Sequence, residues 1–288
     1  MEAQMWRSLY SIVREVAADR PRGGRRFSDA VIVLTLLWAA FNNRPILWAT
    51  ARRNWPLWTQ RWLRRVPTPT TMSRRLRRDS VRVFLDAVLE HAQARLPSGL
   101  CVVIDGKPLV IGGGSKDRQA GYGRAVGGKA RGYKLHAVMD LRGRLVAWRV
   151  AAMNVPEQRM GARLLRQIEH AGYVLADANY DSNQLHAHAD AGGMQLVAPR
   201  RRPFTGLGRH HQRDGRMRSI ALTETPSPLG RHLVEQRDSI ERFFGNLTSF
   251  GAGLGPLPAW VRTHRRVRLW VHAKLIINAV RIDLRLAA

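Results

Sequence analysis

Three carboxylates stand where the pattern of the chain concentrates chemistry. Asp105 closes the apolar run Leu100-Cys101-Val102-Val103-Ile104, Asp177 closes Val174-Leu175-Ala176, and Glu241 sits in an amphipathic stretch further on. In an open sheet, ligands gather beyond the strand ends where strand order changes, so acids placed there can meet. Converging carboxylate oxygens suit hard divalent cations such as Mg²⁺ or Mn²⁺. Each acid also has a plain local reading. Asp105-Gly106 is a turn dipeptide, Asp177 can cap the helix that follows, and Glu241 can pair with Arg237 one helical turn earlier.

The elements that must position these acids begin after Pro97-Ser98-Gly99, which separates residues 1–98 from 99–288. Strands are expected at 100–104, 132–140, 144–152, 173–176 and 194–198. Helices are expected around 160–168, 182–191, 231–249 and 259–286. Residues 111–131 read as a Gly-rich loop, whose Lys116, Arg118, Arg124 and Lys129 can touch DNA, and 200–227 as a basic connection poor in apolar residues. Three strands in meander followed by alternating helices and strands is the order of an RNase H-like α/β fold, a mixed five-stranded sheet flanked by helices. On the helix carrying Glu241, about 100° per residue puts Val234, Arg237, Glu241, Gly245 and Thr248 on one stripe. Ile240, Phe243 and Leu247 form the adjoining apolar stripe.

Residues 1–98 read as an all-α module. Ser28 precedes a long apolar run, Pro45 suits the first turn of a helix at 46–53, and Thr68-Pro69 is an N-cap followed by proline at the first helical position. The helix after Thr68 carries Arg74, Arg75, Arg77 and Arg78. The next has Val81, Phe84, Leu85, Val88, Leu89 and Ala92 at helical spacing. Short helices with an Arg-studded late member suggest a helix-turn-helix-like DNA-binding domain.

The charge agrees with such a partner. Forty-eight Lys and Arg against 21 Asp and Glu leave +27 over 288 residues. A surplus that large points to a polyanion, nucleic acid first. Arg dominates the basic residues, but codon bias trades Lys for Arg without removing acids. The single Cys101 excludes disulfides within the chain and any multi-cysteine zinc site, and reads as a core thiol. His186-Ala187-His188 and His210-His211 lack partners at zinc spacing and read as surface histidines. Gly112-Gly113-Gly114-Ser115-Lys116 lacks the spacing of a phosphate-binding P-loop. The longest apolar stretch, 30–41, is short of the ~20 residues that span a bilayer. A cytoplasmic protein with no membrane partner is the expectation.

Several motifs together resemble a DDE transposase of bacterial insertion sequences. Val103-Ile104-Asp105-Gly106 resembles the first-Asp strand, and Gly132-Tyr133-Lys134-Leu135-His136 with Asp140 and Gly143 the second-strand signature. Ala152-Met153-Asn154-Val155 resembles the third-strand ending, and Asp177-Ala178-Asn179-Tyr180-Asp181 the second-Asp motif. Arg237-Asp238-Ser239-Ile240-Glu241 matches the Arg-(3)-Glu part of the Tyr-(2)-Arg-(3)-Glu-(6)-Lys signature. Val234 stands where that signature has Tyr, Thr248 where it has Lys, and Asn179 where the second motif has Gly.

The resemblance implies that Asp105, Asp177 and Glu241 are catalytic metal ligands for two Mg²⁺ or Mn²⁺ ions, with Asp105 bridging both. It implies double-stranded DNA as partner, both element ends and target, with strand cleavage by water followed by attack of the freed 3′-OH. Lys107, Lys134 and Arg237 would hold phosphates, Arg74, Arg75, Arg77 and Arg78 would bind DNA, and a homodimer on DNA is expected. Two other readings share these motifs. One is a catalytically degenerate DNA-binding remnant or self-repressor, favoured by Val234 and Thr248. The other is a structure-selective nuclease on the same fold.

Overall fold

The computed structural model describes residues 2–20, 26–63, 65–96, 98–169, 171–207, 211–225 and 227–287. The chain divides into two compact units. One is Met1–Arg95 with Leu247–Val261 and Leu269–Ala288, and the other is Leu96–Asn246 with Arg262–Arg268.

The first unit is helical: α1 (Glu2–Ala18), α2 (Asp29–Phe41), α3 (Ile46–Ala49), α4 (Leu57–Trp62), α5 (Pro69–Arg75) and α6 (Asp79–Ala92), with a 3₁₀ turn at Arg52–Asn54. Helix α1 buries Met5, Trp6, Leu9, Val13 and Val16, the stripe of an amphipathic helix, whereas α2 is buried from Ile32 through Phe41. Both sequence-predicted caps form: Ser28 Oγ accepts from the Val31 amide, and Thr68 Oγ1 from the Thr71 amide at 3.2 Å. The four-arginine set divides. Arg74, Arg77 and Arg78 are exposed, but Arg75 shares the buried side of α5 with Met72. It donates to the Phe27 carbonyl at 2.5 Å and pairs with Asp29. Arg75 is therefore a tie between α5 and the start of α2, not part of a DNA-facing row.

The second unit carries β1 (Cys101–Val110), β2 (Gly121–Ala125), β3 (Gly128–Asp140), β4 (Leu145–Ala152), β5 (Tyr173–Leu175) and β6 (Gln195–Val197). Its helices are α7 (Glu157–Leu165), α8 (Asn183–Ala191), α9 (Asp214–Glu224), α10 (Pro228–Gln236) and α11 (Ser239–Thr248), and α12 spans His264–Leu286. The strands form one mixed sheet in the order β2-β3-β1-β5-β6, with β4 also paired to β3. β1 is antiparallel to β3 and parallel to β5, and β5 is parallel to β6. Val102, Ile104, Val138 and Val174 from the sheet pack with Leu164 of α7, Leu185 of α8 and Tyr180 in one core.

This is the RNase H-like arrangement expected, with local differences. The first strand, expected over 100–104, runs on to Val110 in its ladder with β3, so Asp105 lies inside β1 rather than closing it. A sixth strand, β2, forms inside the segment read as loop, because Gly121 and Gly123 mask its strand character. A helix, α9, occupies part of the basic connection. The helix expected over 231–249 is two, α10 and α11, broken by a turn at Arg237-Asp238 with neither proline nor glycine to announce it. The continuous stripe from Val234 to Thr248 is interrupted there, while Ile240, Phe243 and Leu247 are buried as expected.

Candidate active site

Strand register brings two of the three acids together. Val103 of β1 lies beside Leu175 of β5 in parallel pairing. Asp105 and Asp177 each follow two residues later, so both lie where β5 ends, Asp105 still inside β1, which runs on to Val110, and Asp177 just past β5. The Gly106 amide donates to Asp105 Oδ1 at 2.6 Å. Gly106 itself lies opposite His136 on β3, and a Cβ there would come within 2.7 Å of Lys134 Cδ. Glycine after the acid is thus what lets Lys134 lie close beside it.

Asp177 caps the 3₁₀ turn Ala178–Tyr180. Its Oδ1 accepts from the Asn179 amide and its Oδ2 from the Asn179 side chain, both at 2.9 Å. The capping reading and the strand-end reading therefore both describe Asp177.

Electrostatics mark the same place. Burial pushes Asp105 up to about 6, with the charges of Asp177 and Glu157 adding and the Gly106 amide hydrogen bond and the Lys134 charge opposing. Asp177 is raised by burial and then by Glu157, against its Asn179 bonds and the Arg237 charge. Both acids lie where a negative charge is poorly tolerated, a condition that a bound cation relieves.

Glu157 was not anticipated. It opens α7 directly after Pro156, and its Oε1 pairs with Lys134 Nζ at 2.5 Å, both side chains largely buried. Its mark in the sequence is its position three residues after Asn154, just beyond the motif Ala152-Met153-Asn154-Val155. Tyr180 is also part of the arrangement. Its side chain is 1% exposed, its hydroxyl has no hydrogen-bond partner among the described residues, and burial, followed by the charges of Asp105, Glu157 and Asp177, holds its phenol well above the ordinary value.

The remaining residues separate into neighbours and outliers. Lys107 lies with its ammonium 5.8 Å from the Phe244 ring, and burial lowers its pKa. Arg237 ends α10 close enough to act on Asp177. Glu241 is on the exposed side of α11. Among the described residues no three His, Cys, Asp or Glu side chains converge to hold a metal ion. The structure thus pairs Asp105 with Asp177 and does not bring Glu241 to them. The two oxygen-donor acids still fit a hard divalent ion by donor type and by the strain of their crowding.

His136 is fully buried on β3, and burial followed by Lys134 lowers it to about 3, so it is a neutral packed residue. His186 is buried rather than superficial, lying 3.6 Å from Asp181. His188 is half-buried, His211 is exposed, and His210 lies outside the described residues. Burial pushes the Cys101 thiol up to about 11, as for an unreactive thiol.

A mixed sheet in this order, flanked by helices, is the RNase H-like arrangement of DDE domains. The family model described as "Transposase DDE domain" matches residues 97–277, and the chain belongs to that family. Members of this family act on DNA and generally use divalent metal ions. A comparison with curated proteins finds no match. No helix among the described residues is long and apolar enough to cross a membrane.

Proposed function

We propose that the chain is an insertion-sequence transposase that binds the ends of its element, cleaves a strand there and joins the freed 3′ end to target DNA. The observation that carries this reading is the proximity of Asp105, within β1 just past its parallel pairing with β5, and Asp177, just beyond the end of β5. These two, with Glu241 as the third ligand that the motif resemblance assigns, would hold Mg²⁺ or Mn²⁺. Two such ions supply activation of the attacking oxygen and stabilisation of the leaving 3′ oxygen.

The chain's own residues do the rest. Lys107, Lys134 and Arg237 offer cations around the two acids. Glu157 is a positioning residue: its pairing fixes the Lys134 ammonium beside Asp105 rather than leaving it to wander. Arg74, Arg77 and Arg78 offer exposed cations for the element end. Each step exchanges one phosphodiester P–O bond for another. Water breaks the bond to the 3′ oxygen, and that 3′-OH then attacks a target phosphate with loss of the target's own 3′ oxygen.

The test uses the full chain and a linear duplex carrying the short inverted repeats that flank its gene, with Mg²⁺ and Mn²⁺ tried separately. The parent is expected to nick the ends, and Asp105→Asn to abolish nicking while end-binding stays nearly intact, because affinity rests on Arg contacts elsewhere. One set of residues favours a second reading. Val234 and Thr248 replace the Tyr and Lys of the signature, and the Asn179 amide sits on an oxygen of Asp177. If the parent binds the ends and never nicks them under either metal, the protein is a DNA-binding remnant or self-repressor.

A further inference from the structure

The unforeseen strand β2 does not complete the central sheet so much as build an arm on it. β2 and the first residues of β3 form a two-stranded ribbon, with Tyr122 opposite Arg131, Gly123 opposite Ala130, Arg124 opposite Lys129 and Ala125 opposite Gly128. Cross-strand partners share a face. One face of the ribbon is therefore Tyr122, Arg124, Lys129 and Arg131, and the other contains only glycine and alanine.

The bald face has a structural use. A Cβ at Gly123 would lie 2.7 Å from the Met153 carbonyl oxygen, and one at Gly121 would collide with Asn154. The ribbon thus seats directly on the chain that leaves β4, a few residues before Glu157. Its root is held hard. Arg131 donates to the carbonyls of Ala120 and Ser115 and to that of Asp117. The buried Asp117 carboxylate in turn accepts from Tyr133 Oη at 2.8 Å and from the Thr263 amide at 2.7 Å. Arg131 is consumed by this anchorage, which leaves Tyr122, Arg124 and Lys129 for an outside partner.

The other end stands in solvent. Val126 at the turn is 101% exposed, and nearer the root Tyr122 on the cationic face is 59% exposed. Gly127 and Gly128, at φ of 85° and 125°, reverse the chain at once. Lys129 Nζ lies 5.6 Å from the Tyr122 ring, so the aromatic and cationic groups form one patch. At about 3.4 Å per residue the strand from Gly121 to Ala125 reaches roughly 14 Å. A duplex major groove is about 8.5 Å deep and admits a two-stranded ribbon.

We propose that this ribbon is a DNA-contacting arm that lays its Tyr122, Arg124 and Lys129 face against the duplex beside the cleavage site, with Val126 at its leading tip. The inference rests on the transposase reading for its partner. Charge selects that partner over a second copy of the chain: a cationic face is complementary to polyphosphate and repelled by a molecule carrying +27.

The test is equilibrium binding of the full chain to a mixed-sequence duplex across a salt series. The parent is compared with Arg124→Ala/Lys129→Ala, Tyr122→Ala and Val126→Asp. Because log K falls with log salt by about 0.9 per neutralised phosphate, the double variant should lose between one and two from the slope and about tenfold in affinity at low salt. Tyr122→Ala and Val126→Asp should weaken binding by a few-fold each. All four side chains are exposed, so melting temperatures should match the parent's. Parent-like slope and affinity in every variant, with the parent binding well, would overturn the arm and leave the transposase reading standing. A change confined to self-association would overturn it too, in favour of a contact between copies. A parent that fails to bind duplex DNA would remove the transposase reading and the arm together.

Discussion

Asp177 and Asp181 are four residues apart, of the same chemical type, and treated in opposite ways. Asp181 is answered on every side. Arg216 Nε and Nη2 reach its two oxygens at 2.7 and 2.8 Å, the Arg201 amide donates at 3.1 Å, and His186 stands 3.6 Å away. Despite its burial, its carboxyl is held well below the usual range, chiefly by Arg216. Among the described residues Asp177 receives the two Asn179 bonds and the charge of Arg237, and it faces Asp105 and Glu157. The difference separates a carboxylate that builds the fold from one kept available. Asp181 joins α8 and α9 through a closed network, whereas Asp177 carries charge that nothing in the protein fully neutralises.

The largest effect should come from breaking the closed network. The Asp181 side chain is 2% exposed and that of Arg216 17%, so Asp181→Asn leaves a guanidinium buried without its counter-charge. Removing one partner of a buried pair costs about 3–5 kcal/mol. Denaturant unfolding should show that loss, while Asp177→Asn and Asp105→Asn, measured without metal, should unfold no more easily than the parent. Equal destabilisation by all three would erase the distinction.

Metal should reverse the ranking. A cation that binds the folded state at a hundred times its Kd stabilises by about 2.7 kcal/mol. Mn²⁺ should therefore raise the parent's melting temperature, leave Asp181→Asn with a shift of similar size, and do much less for Asp105→Asn, Asp177→Asn and Glu241→Gln. A Glu241→Gln variant that responds like the parent would mean the exposed position of Glu241 is its true one and that it is not a ligand. Three acid variants all responding like the parent would move the metal elsewhere.

Proton titration divides the two classes again. The folded pKa of Asp181 is depressed, so its contribution is complete above the ordinary carboxylate value of 3.8 and lost as pH falls through the lower folded value. Asp105 is raised to about 6, so its contribution is complete below 3.8 and lost as pH rises through 6. In metal-free protein, Asp105→Asn should flatten the stability profile between pH 4 and 6. Asp181→Asn should flatten the limb below pH 4. The opposite assignment of limbs to variants would contradict the two environments.

What could be read in the sequence follows from the range over which each feature is determined. Asp105 and Asp177 close short apolar runs, and such runs are a local property, so their meeting was legible even though β1 continues past Asp105 to Val110. The caps Ser28 and Thr68 were legible for the same reason. Arg75 was not, because the partner that turns it inward, Asp29, lies 46 residues away. Glu157 escaped because its place beside Lys134 depends on how α7 leaves β4. β2 was hidden by the glycines that let it lie against Met153 and Asn154, since composition reports flexibility where the structure uses close approach. The break at Arg237-Asp238 leaves no mark in a periodicity that both flanking helices obey.

The smallest expected effect addresses the residue that sits between the two aspartates. Asn179 satisfies Asp177 twice, once through its backbone amide and once through its side chain. Only the second bond depends on the side chain, and it occupies Oδ2, an oxygen that a cation would need. Asn179 is exposed, so water replaces its amide readily and the bond is worth about 0.5–1.5 kcal/mol. Asn179→Ala keeps the backbone bond to Oδ1 and frees Oδ2. The change should raise the Asp177 pKa further, because a bond that stabilises the ionised form is gone. It should also tighten Mn²⁺ by roughly two- to tenfold at pH values above that pKa, read by isothermal titration. If the side-chain amide instead holds Asp177 in its metal-binding orientation, affinity will fall, and Asn179 will rank with the residues that build the site rather than with those that restrain it.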